Sequence, residues 1–369
     1  MSEFQLYEFM SCDRALTQAD KKALQEVSSR VEISSNKATF LYNYGDFRGK
    51  PQDVLVRHFD AMYYIANWGT MELYFRFPKG SIDRKVFAPY YRHDDLELVE
   101  AGKSEVLKIF YNLEDGYFLC DRAYYLDDLI ELRQALLDKD YRVLYLAWLR
   151  SIQTYSEDTE KANLEPPVPP GLNDLSSELE AFIEIFELDP FLVKTSASIS
   201  GTQEKISDST IKKAISQLPR SECDRFLFDL LNHKSGLAIN LKQKITPFLP
   251  QVQESTPPQR TIETLLAKAA DYQKEREKQD KAAQKAQKIR ELEILIPRKA
   301  ELWQFVESAI ACKTAYSYDE AIAQLIELRE LAEYQNQLSA FHKKIGELCD
   351  RHSKKSALIK RIQKAKLRF

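Results

Sequence analysis

Hydrophobic positions in the first 80 residues alternate between period two, typical of strands, and helical spacing. Phe40, Tyr42 and Tyr44 fall on one face of an extended segment, whereas Leu24 and Val27 fall on one face of a helix that Thr17 can cap. The predicted elements are a strand at 5–10, a helix from Thr17, strands at 31–34 and 39–44, a helix from Pro51 through Ile65 to Gly69, and a strand at 71–77. This βαββαβ order predicts an α+β domain of ferredoxin-like topology.

The pattern beyond this domain continues the sheet and then becomes helical. Strands are predicted at 96–100 and 106–111, joined by a turn at 101–104, so this hairpin extends the sheet or forms a satellite to it. Helices are predicted at 126–137 and 141–155, and they complete an aromatic-rich domain at 1–160.

A proline-rich segment ends this first half. Four prolines between Pro166 and Pro170 favour polyproline II and predict a linker at 161–172. A ligand motif for an SH3-like partner is the functional alternative. Five further helices between 175 and 248 predict a small helical domain at 173–250.

The last part of the chain reads as an all-α region at 260–369. A long helix is predicted from Arg260 to Ile296, and its middle, residues 273–288, carries only alanine as apolar residue. A coiled-coil seam needs larger side chains, so a solvated helical arm is expected. A capping box at 317–320 then opens an amphipathic helix that pairs with its predecessor as an αα-hairpin.

Composition indicates a globular, cytoplasmic protein. Hydrophobic residues make up 44 % of the 369, and the five cysteines are odd in number and lack CxxC spacing, which is typical of reduced thiols. Neither a secretory signal nor an apolar run long enough for a membrane span is evident. Residues 260–369 hold 23 Lys and Arg against 16 Asp and Glu, whereas the preceding residues hold 30 against 40.

Several short segments resemble a family of uncharacterised bacterial proteins. They are Tyr7-Glu8-Phe9 with Asp13-Arg14, Tyr44-Gly45-Asp46-Phe47-Arg48-Gly49, Phe59-Asp60-Ala61 with Ala66-Asn67-Trp68-Gly69-Thr70, Glu165-Pro166-Pro167-Val168-Pro169-Pro170-Gly171-Leu172, and Tyr318-Asp319-Glu320-Ala321. The resemblance spans most of the chain and implies a bacterial source. It implies no activity, cofactor or catalytic residue.

The sequence contains no complete common catalytic motif that would indicate an enzyme. No complete GxxxxGK[ST], GxGxxG, GxSxG or HExxH occurs, so no cofactor is predicted and enzyme status stays open, leaning negative. An unrecognised site around Asp46, Arg48 and His93 is the enzymatic alternative. The carboxylates next to His93 are more typical of a polar loop than of a metal site.

A metal site and a nucleic-acid site are two further alternatives. His342, Cys349 and His352 share one helix face and suit zinc, with Cys312 as a fourth ligand, but the same spacing is typical of a heptad seam. The basic tail at 351–369 contains eight Lys and Arg and no acid, enough to bind several phosphates or to form a solvated helix. Besides Arg351, its nucleic-acid candidates are Lys354, Lys355, Lys360, Arg361, Lys364, Lys366 and Arg368.

Aromatic residues favour a protein-binding function. Of the 41 aromatics, 27 precede residue 171, and adjacent pairs cannot both face a single core. Some rings must therefore be exposed or cover a second layer, and exposed tyrosine is typical of protein interfaces. A non-enzymatic adaptor is predicted, with a protein partner, an undetermined oligomeric state, and interface candidates Tyr63, Tyr64, Trp68, Tyr90 and Tyr91.

Overall fold

The computed structural model describes residues 4–112, 125–154, 164–202, 207–232, 237–249 and 260–367. The chain forms two compact units, residues 1–272 and 273–369. The predicted linker at 161–172 and the predicted helical domain at 173–250 both fall inside the first unit.

The first unit is built on an antiparallel sheet, to which the described residues contribute seven strands. The strands are β1 (Gln5–Met10), β2 (Glu32–Ile33), β3 (Lys37–Tyr42), β4 (Ala61–Ala66), β5 (Thr70–Pro78), β6 (Leu96–Ala101) and β7 (Ser104–Asn112). Their order across the sheet is β2-β3-β1-β4-β5-β7-β6. The predicted α+β class is confirmed, and the predicted β6–β7 hairpin extends this sheet.

The helix predicted from Pro51 to Gly69 is wrong in its second half. Helix α2 (Pro51–His58) ends at His58, and the residues that follow form β4. Every residue of β4 is buried, because the strand lies in the middle of the sheet and is covered on both faces. A strand of this kind has no polar alternation, so its apolar run also fits helical spacing.

Helices cover the sheet on both faces. Helices α1 (Gln18–Val27) and α2 lie on one face, where Leu24 and Leu55 pack with Phe9 and Phe40. The opposite face carries a larger core that includes Leu73. Its helices are α4 (Tyr125–Leu129), α5 (Glu131–Leu137), α6 (Arg142–Thr154), α7 (Ser177–Ile185) and α8 (Pro190–Ala197), and a short α3 (Arg84–Phe87) precedes β6. The helix predicted at 126–137 is therefore divided at Ile130.

The proline-rich segment packs into the core of the first unit. Val168 and Leu172 are buried in the same apolar cluster as the sheet. The Tyr90 hydroxyl donates a hydrogen bond to the Pro167 carbonyl oxygen at 2.6 Å. Buried side chains and this hydrogen bond therefore fix the segment to the first unit.

Three further helices of the first unit have a small apolar cluster of their own. They are α9 (Asp208–Ser216), α10 (Arg220–Leu231) and α11 (Leu237–Ile245). Among the described residues, the buried part of this cluster is Ala214, Leu218 and Ile245. So small a core leaves much of the three helices facing solvent.

The second unit is helical, as predicted for this part of the chain. Its helices are α12 (Ile262–Leu295), which starts in the first unit, α13 (Lys299–Cys312), α14 (Ala315–Tyr334), α15 (Leu338–Arg351) and α16 (Ser356–Lys364). Every residue of α12 from 270 to 288 is exposed, so the predicted solvated helix is confirmed. Helices α13 and α14 pack as the predicted αα-hairpin around Val306, Ile310 and Leu325. The capping box lies one turn before the predicted one, with Thr314 as the N-cap residue and Ser317 at N3.

Candidate functional site

The three residues of the enzymatic alternative do not meet. Asp46 and Arg48 lie in the exposed loop after β3, whereas His93 precedes β6. Five strand spacings separate β3 from β6, or about 24 Å. His93 instead lies beside Asp94 and Glu97, the one group of potential metal ligands within 4.8 Å of one another that the described residues contain. His93 and Asp94 are both exposed, as in an ordinary surface ion pair.

The predicted zinc ligands do not converge either. Nδ1 of His342 faces the Leu367 carbonyl oxygen at 3.3 Å, and Nε2 of His352 lies 3.6 Å from a Glu307 carboxylate oxygen. Cys349 is buried in the apolar core of the second unit. The alternative interpretation, a packed helix seam, agrees better with these positions.

Three of the five aromatic interface candidates are buried. Tyr63 and Tyr64 lie on opposite faces of β4 and each enters a core, so both interface assignments are wrong. Tyr90 is also buried, with its hydroxyl on the proline-rich segment. Trp68 and Tyr91 are exposed, 42 % and 48 % respectively, and remain candidates.

A charged cluster that sequence reasoning missed joins α1 to α2. Arg14 Nη1 and the Thr17 hydroxyl lie 2.6 and 2.7 Å from Oδ2 of Asp20, and Nδ1 of His58 lies 2.8 Å from Oδ1. The hydrogen bond from Arg14, with those from His58 and Thr17, holds the pKa of Asp20 well below its usual range. The spacing of Thr17 and Asp20 is that of a capping pair, whereas the His58 contact depends on the tertiary fold.

We expect Asp20→Asn to lower the free energy of unfolding by about 1–2 kcal/mol at pH 7, since charged hydrogen bonds are lost while the shape is kept. The carboxylate stays charged in the folded chain below the pKa of an unfolded Asp, about 3.9, so its stabilising effect is complete above about pH 5. The effect declines as the pH falls below about 4. Urea unfolding at pH 7 and 3.5 measures the difference, with exposed Asp53→Asn as control. A difference that grows in acid would contradict this assignment.

A second cluster lies where β1 ends and β4 begins. The buried Asp60 carboxylate accepts the Cys12 backbone N–H at 2.8 Å and Arg76 Nη2 at 2.5 Å, and Nη2 of Arg133 lies 3.7 Å away. Cys12 is an exposed residue beside this cluster, and the charges of Arg133 and Asp60 act on its thiol in opposite directions. In both clusters a carboxylate is paired with cationic side chains, and these contacts connect separate elements of the first unit.

Among the helices that the structure describes in the first unit, α10 has the largest number of exposed large apolar side chains. No residue of α10 is buried, although the structure describes the whole helix. Cys223 and Phe226 are half-buried on its inner side. The exposed fractions of its other large apolar residues are 56 % for Leu227, 65 % for Phe228, 62 % for Leu230 and 78 % for Leu231.

The spacing of these four residues explains why sequence reasoning did not single them out. Leu227, Leu230 and Leu231 follow each other at helical spacing, which is typical of a core-facing stripe. Only the structure shows that this stripe faces solvent. We call these four side chains the α10 apolar face.

The basic candidates of the second unit divide into two groups. Lys355 donates to the Ile310 carbonyl oxygen, and Arg361 forms an ion pair with Asp319, so both tie α16 to its neighbours. Arg368 lies outside the described residues. Lys354, Lys360, Lys364 and Lys366 are exposed.

Comparison with known proteins adds no relative to this description. No protein-family model, curated protein or solved structure matches the chain. None of the helices that the structure describes combines the length and apolar character needed to cross a membrane.

Proposed function

We propose that the chain is a non-enzymatic adaptor that binds a protein partner through the α10 apolar face. The observation that carries this proposal is the exposure of four large apolar side chains on one helix. Surface helices ordinarily turn such a stripe toward a core. A contiguous exposed patch of this kind is typical of protein interaction sites.

The energetics favour covering this face. Removing one Leu or Phe side chain from water stabilises a protein by about 1.5–3 kcal/mol, so four partly exposed residues offer several kcal/mol to a partner. Ordering costs offset part of this gain, and affinity depends on a few well-packed residues. We expect Leu227 and Leu231, which lie one helical turn apart on this face, to contribute most of the affinity.

An ion pair ties the other end of α10 to α11. Glu222 pairs with Lys244 of α11 at 2.8 Å, whereas the ion pair between Arg220 and Asp224, at 3.0 Å, lies within α10 itself. The apolar face occupies the C-terminal half of the helix, beyond these pairs. The helix therefore presents the face without depending on it for attachment to α11.

Affinity capture of the full chain from lysate, quantified by mass spectrometry, tests the proposal. We expect Leu227→Glu with Leu231→Glu to reduce at least one captured protein tenfold or more, because two carboxylates would enter an apolar contact. Tyr316→Glu, at a residue 74 % exposed in the second unit, is the matched control and should leave capture unchanged. Equal capture by all three proteins would contradict the assignment.

We also propose a topology for the first four strands and two helices. We infer that β1 to β4 with α1 and α2 form a ferredoxin-like unit, whose last strand is β4 and not the segment predicted at 71–77. Support comes from the βαββαβ order and from β1 lying between β3 and β4, antiparallel to both. The free thiols of Cys12, Cys223 and Cys312 support a reducing, cytoplasmic location.

A further inference from the structure

Helix α16 presents a basic face on a firmly anchored helix. Leu358 and Ile362 of α16, with Leu367 after it, are fully buried in the core of the second unit. Lys360 and Lys364 lie one turn apart on its exposed side. We propose that this face, with Lys354 and Lys366 at either end of the helix, binds the phosphodiester backbone of a nucleic acid.

The anchoring of α16 leaves its lysines available. Arg361 Nε binds Asp319 at 2.6 Å, and Lys355 Nζ donates to the Ile310 carbonyl oxygen at 3.0 Å. These contacts hold the helix, whereas the side-chain ammonium groups of the four exposed lysines have no hydrogen bond or ion pair to another described residue. Lys364 acts on Asp319 only at longer range, where Arg361 already binds the carboxylate.

The charge balance around the helix favours an anionic partner. Residues 351–369 contain eight Lys and Arg and no Asp or Glu. The whole second unit, residues 273–369, holds 21 Lys and Arg against 14 Asp and Glu. Repeated cations at one-turn spacing suit a polyanion, which releases counterions when several phosphates are bound together.

The composition of the exposed side favours a nucleic acid over a lipid surface. A helix that lies in a membrane interface places Trp, Phe or Leu beside its lysines, so that they enter the acyl region. In α16 the large apolar residues Leu358 and Ile362 face the core. Four residues, 352–355, connect α15 to α16, a length close to that of helix-turn-helix pairs that bind duplex DNA.

Binding through four lysines predicts a particular salt dependence. With about four phosphates neutralised, the logarithm of the association constant should fall with the logarithm of salt concentration at a slope of about −3.6 for duplex DNA. Affinity should then drop roughly 100-fold between about 50 and 200 mM salt. A single-stranded RNA should give a shallower slope, near −2.8.

Fluorescence anisotropy of the full chain with a labelled DNA duplex, and with a single-stranded RNA of equal length, tests the proposal. We expect Lys360→Glu with Lys364→Glu to weaken binding at least tenfold and to reduce the duplex slope by about 1.8. The matched control is Lys281→Glu with Lys285→Glu, which reverses an equally spaced exposed pair in the middle of α12. It should change affinity less than twofold, and circular dichroism checks that both variants remain helical.

Three results would overturn the proposal. They are no binding of either nucleic acid by the full chain at low salt, an equal loss of binding in the control variant, and an unchanged affinity in the α16 variant. Vesicles containing phosphatidylserine form a further arm. Binding to these vesicles without binding to nucleic acid would assign the face to a membrane surface instead.

Discussion

Replacing Arg260 with Met will destabilise the first unit by about 3–5 kcal/mol, the usual cost of leaving one partner of a buried ion pair alone. Nε and Nη2 of Arg260 bind the two carboxylate oxygens of Glu165 at 2.7 and 2.6 Å. The Glu165 side chain is fully buried, and that of Arg260 is 8 % exposed. Removing the Arg260 guanidinium would leave the buried Glu165 carboxylate without its cation.

This pair joins the proline-rich segment to the start of α12. The Glu165 backbone N–H donates to the Arg260 carbonyl oxygen at 2.9 Å, and the Tyr145 hydroxyl also donates to the Glu165 carboxylate. Burial, and then the charge of Glu165, raises the pKa of Tyr145 well above its usual value, which keeps the hydroxyl protonated as a donor. One buried carboxylate thus organises three separate segments of the chain.

Urea unfolding followed by tryptophan fluorescence measures the stability of Arg260→Met. In a Trp303→Phe background the signal reports on the first unit, because the remaining tryptophans, Trp68 and Trp148, both lie there. Lys79→Met is the matched control, since Lys79 and Glu100 form an ion pair exposed by more than half. We expect the control to lose no more than about 1 kcal/mol. A loss below about 1 kcal/mol for Arg260→Met would contradict the importance of the buried pair.

Replacing Asp60 with Ala will have a similarly large effect, about 3–5 kcal/mol, because two guanidinium groups then lose their shared carboxylate. The Asp60 and Arg133 side chains are only 3 % and 4 % exposed. The Arg133 Nε also donates to the Arg76 carbonyl oxygen at 3.0 Å, so this arginine ties α5 to β5 and is unable to turn toward water.

Urea unfolding in the same Trp303→Phe background, followed by tryptophan fluorescence, also measures Asp60→Ala. Asp60→Asn is a useful companion, since it retains an acceptor for the Cys12 N–H while removing the charge. We expect Asp60→Asn to be less stable than the wild type but more stable than Asp60→Ala. Equal stability of the wild type and Asp60→Ala would show that the cluster contributes nothing to folding.

Local pattern was enough to predict most elements of this fold. The β6–β7 hairpin follows from a period-two pattern, and strand β1 and helix α12 also lie where they were predicted. Strand β4 was missed because burial on both faces removes the alternation that distinguishes a strand from a helix.

The same double burial explains why Tyr63 and Tyr64 were assigned to an interface. Their adjacency correctly indicates two different environments, but the second layer comes from helices such as α4, more than 60 residues later in the chain. Nothing near the pair in sequence indicates that layer. Likewise, proline content predicts a stiff backbone at Pro166–Pro170 but not the core that receives Val168.

The α10 apolar face could not be predicted from the sequence for a related reason. The leucines of α10 have the spacing of a buried stripe, and whether such a stripe is covered depends on the number of helices that pack around it. Charges are easier to assign from sequence, because runs of lysine nearly always face water. The basic tail was therefore located in advance, although Lys355 and Arg361 are bound within the fold.

Site-specific photo-cross-linking in the source cells tests the adaptor proposal most directly. A cross-linking residue at position 228, whose Phe side chain is 65 % exposed, is compared with one at position 316, whose Tyr side chain is 74 % exposed. If the α10 apolar face binds a protein, position 228 will give a discrete adduct, position 316 will not, and Leu227→Glu with Leu231→Glu will abolish it. No adduct at 228, or the same adducts at both positions, would contradict a protein-binding role for this face.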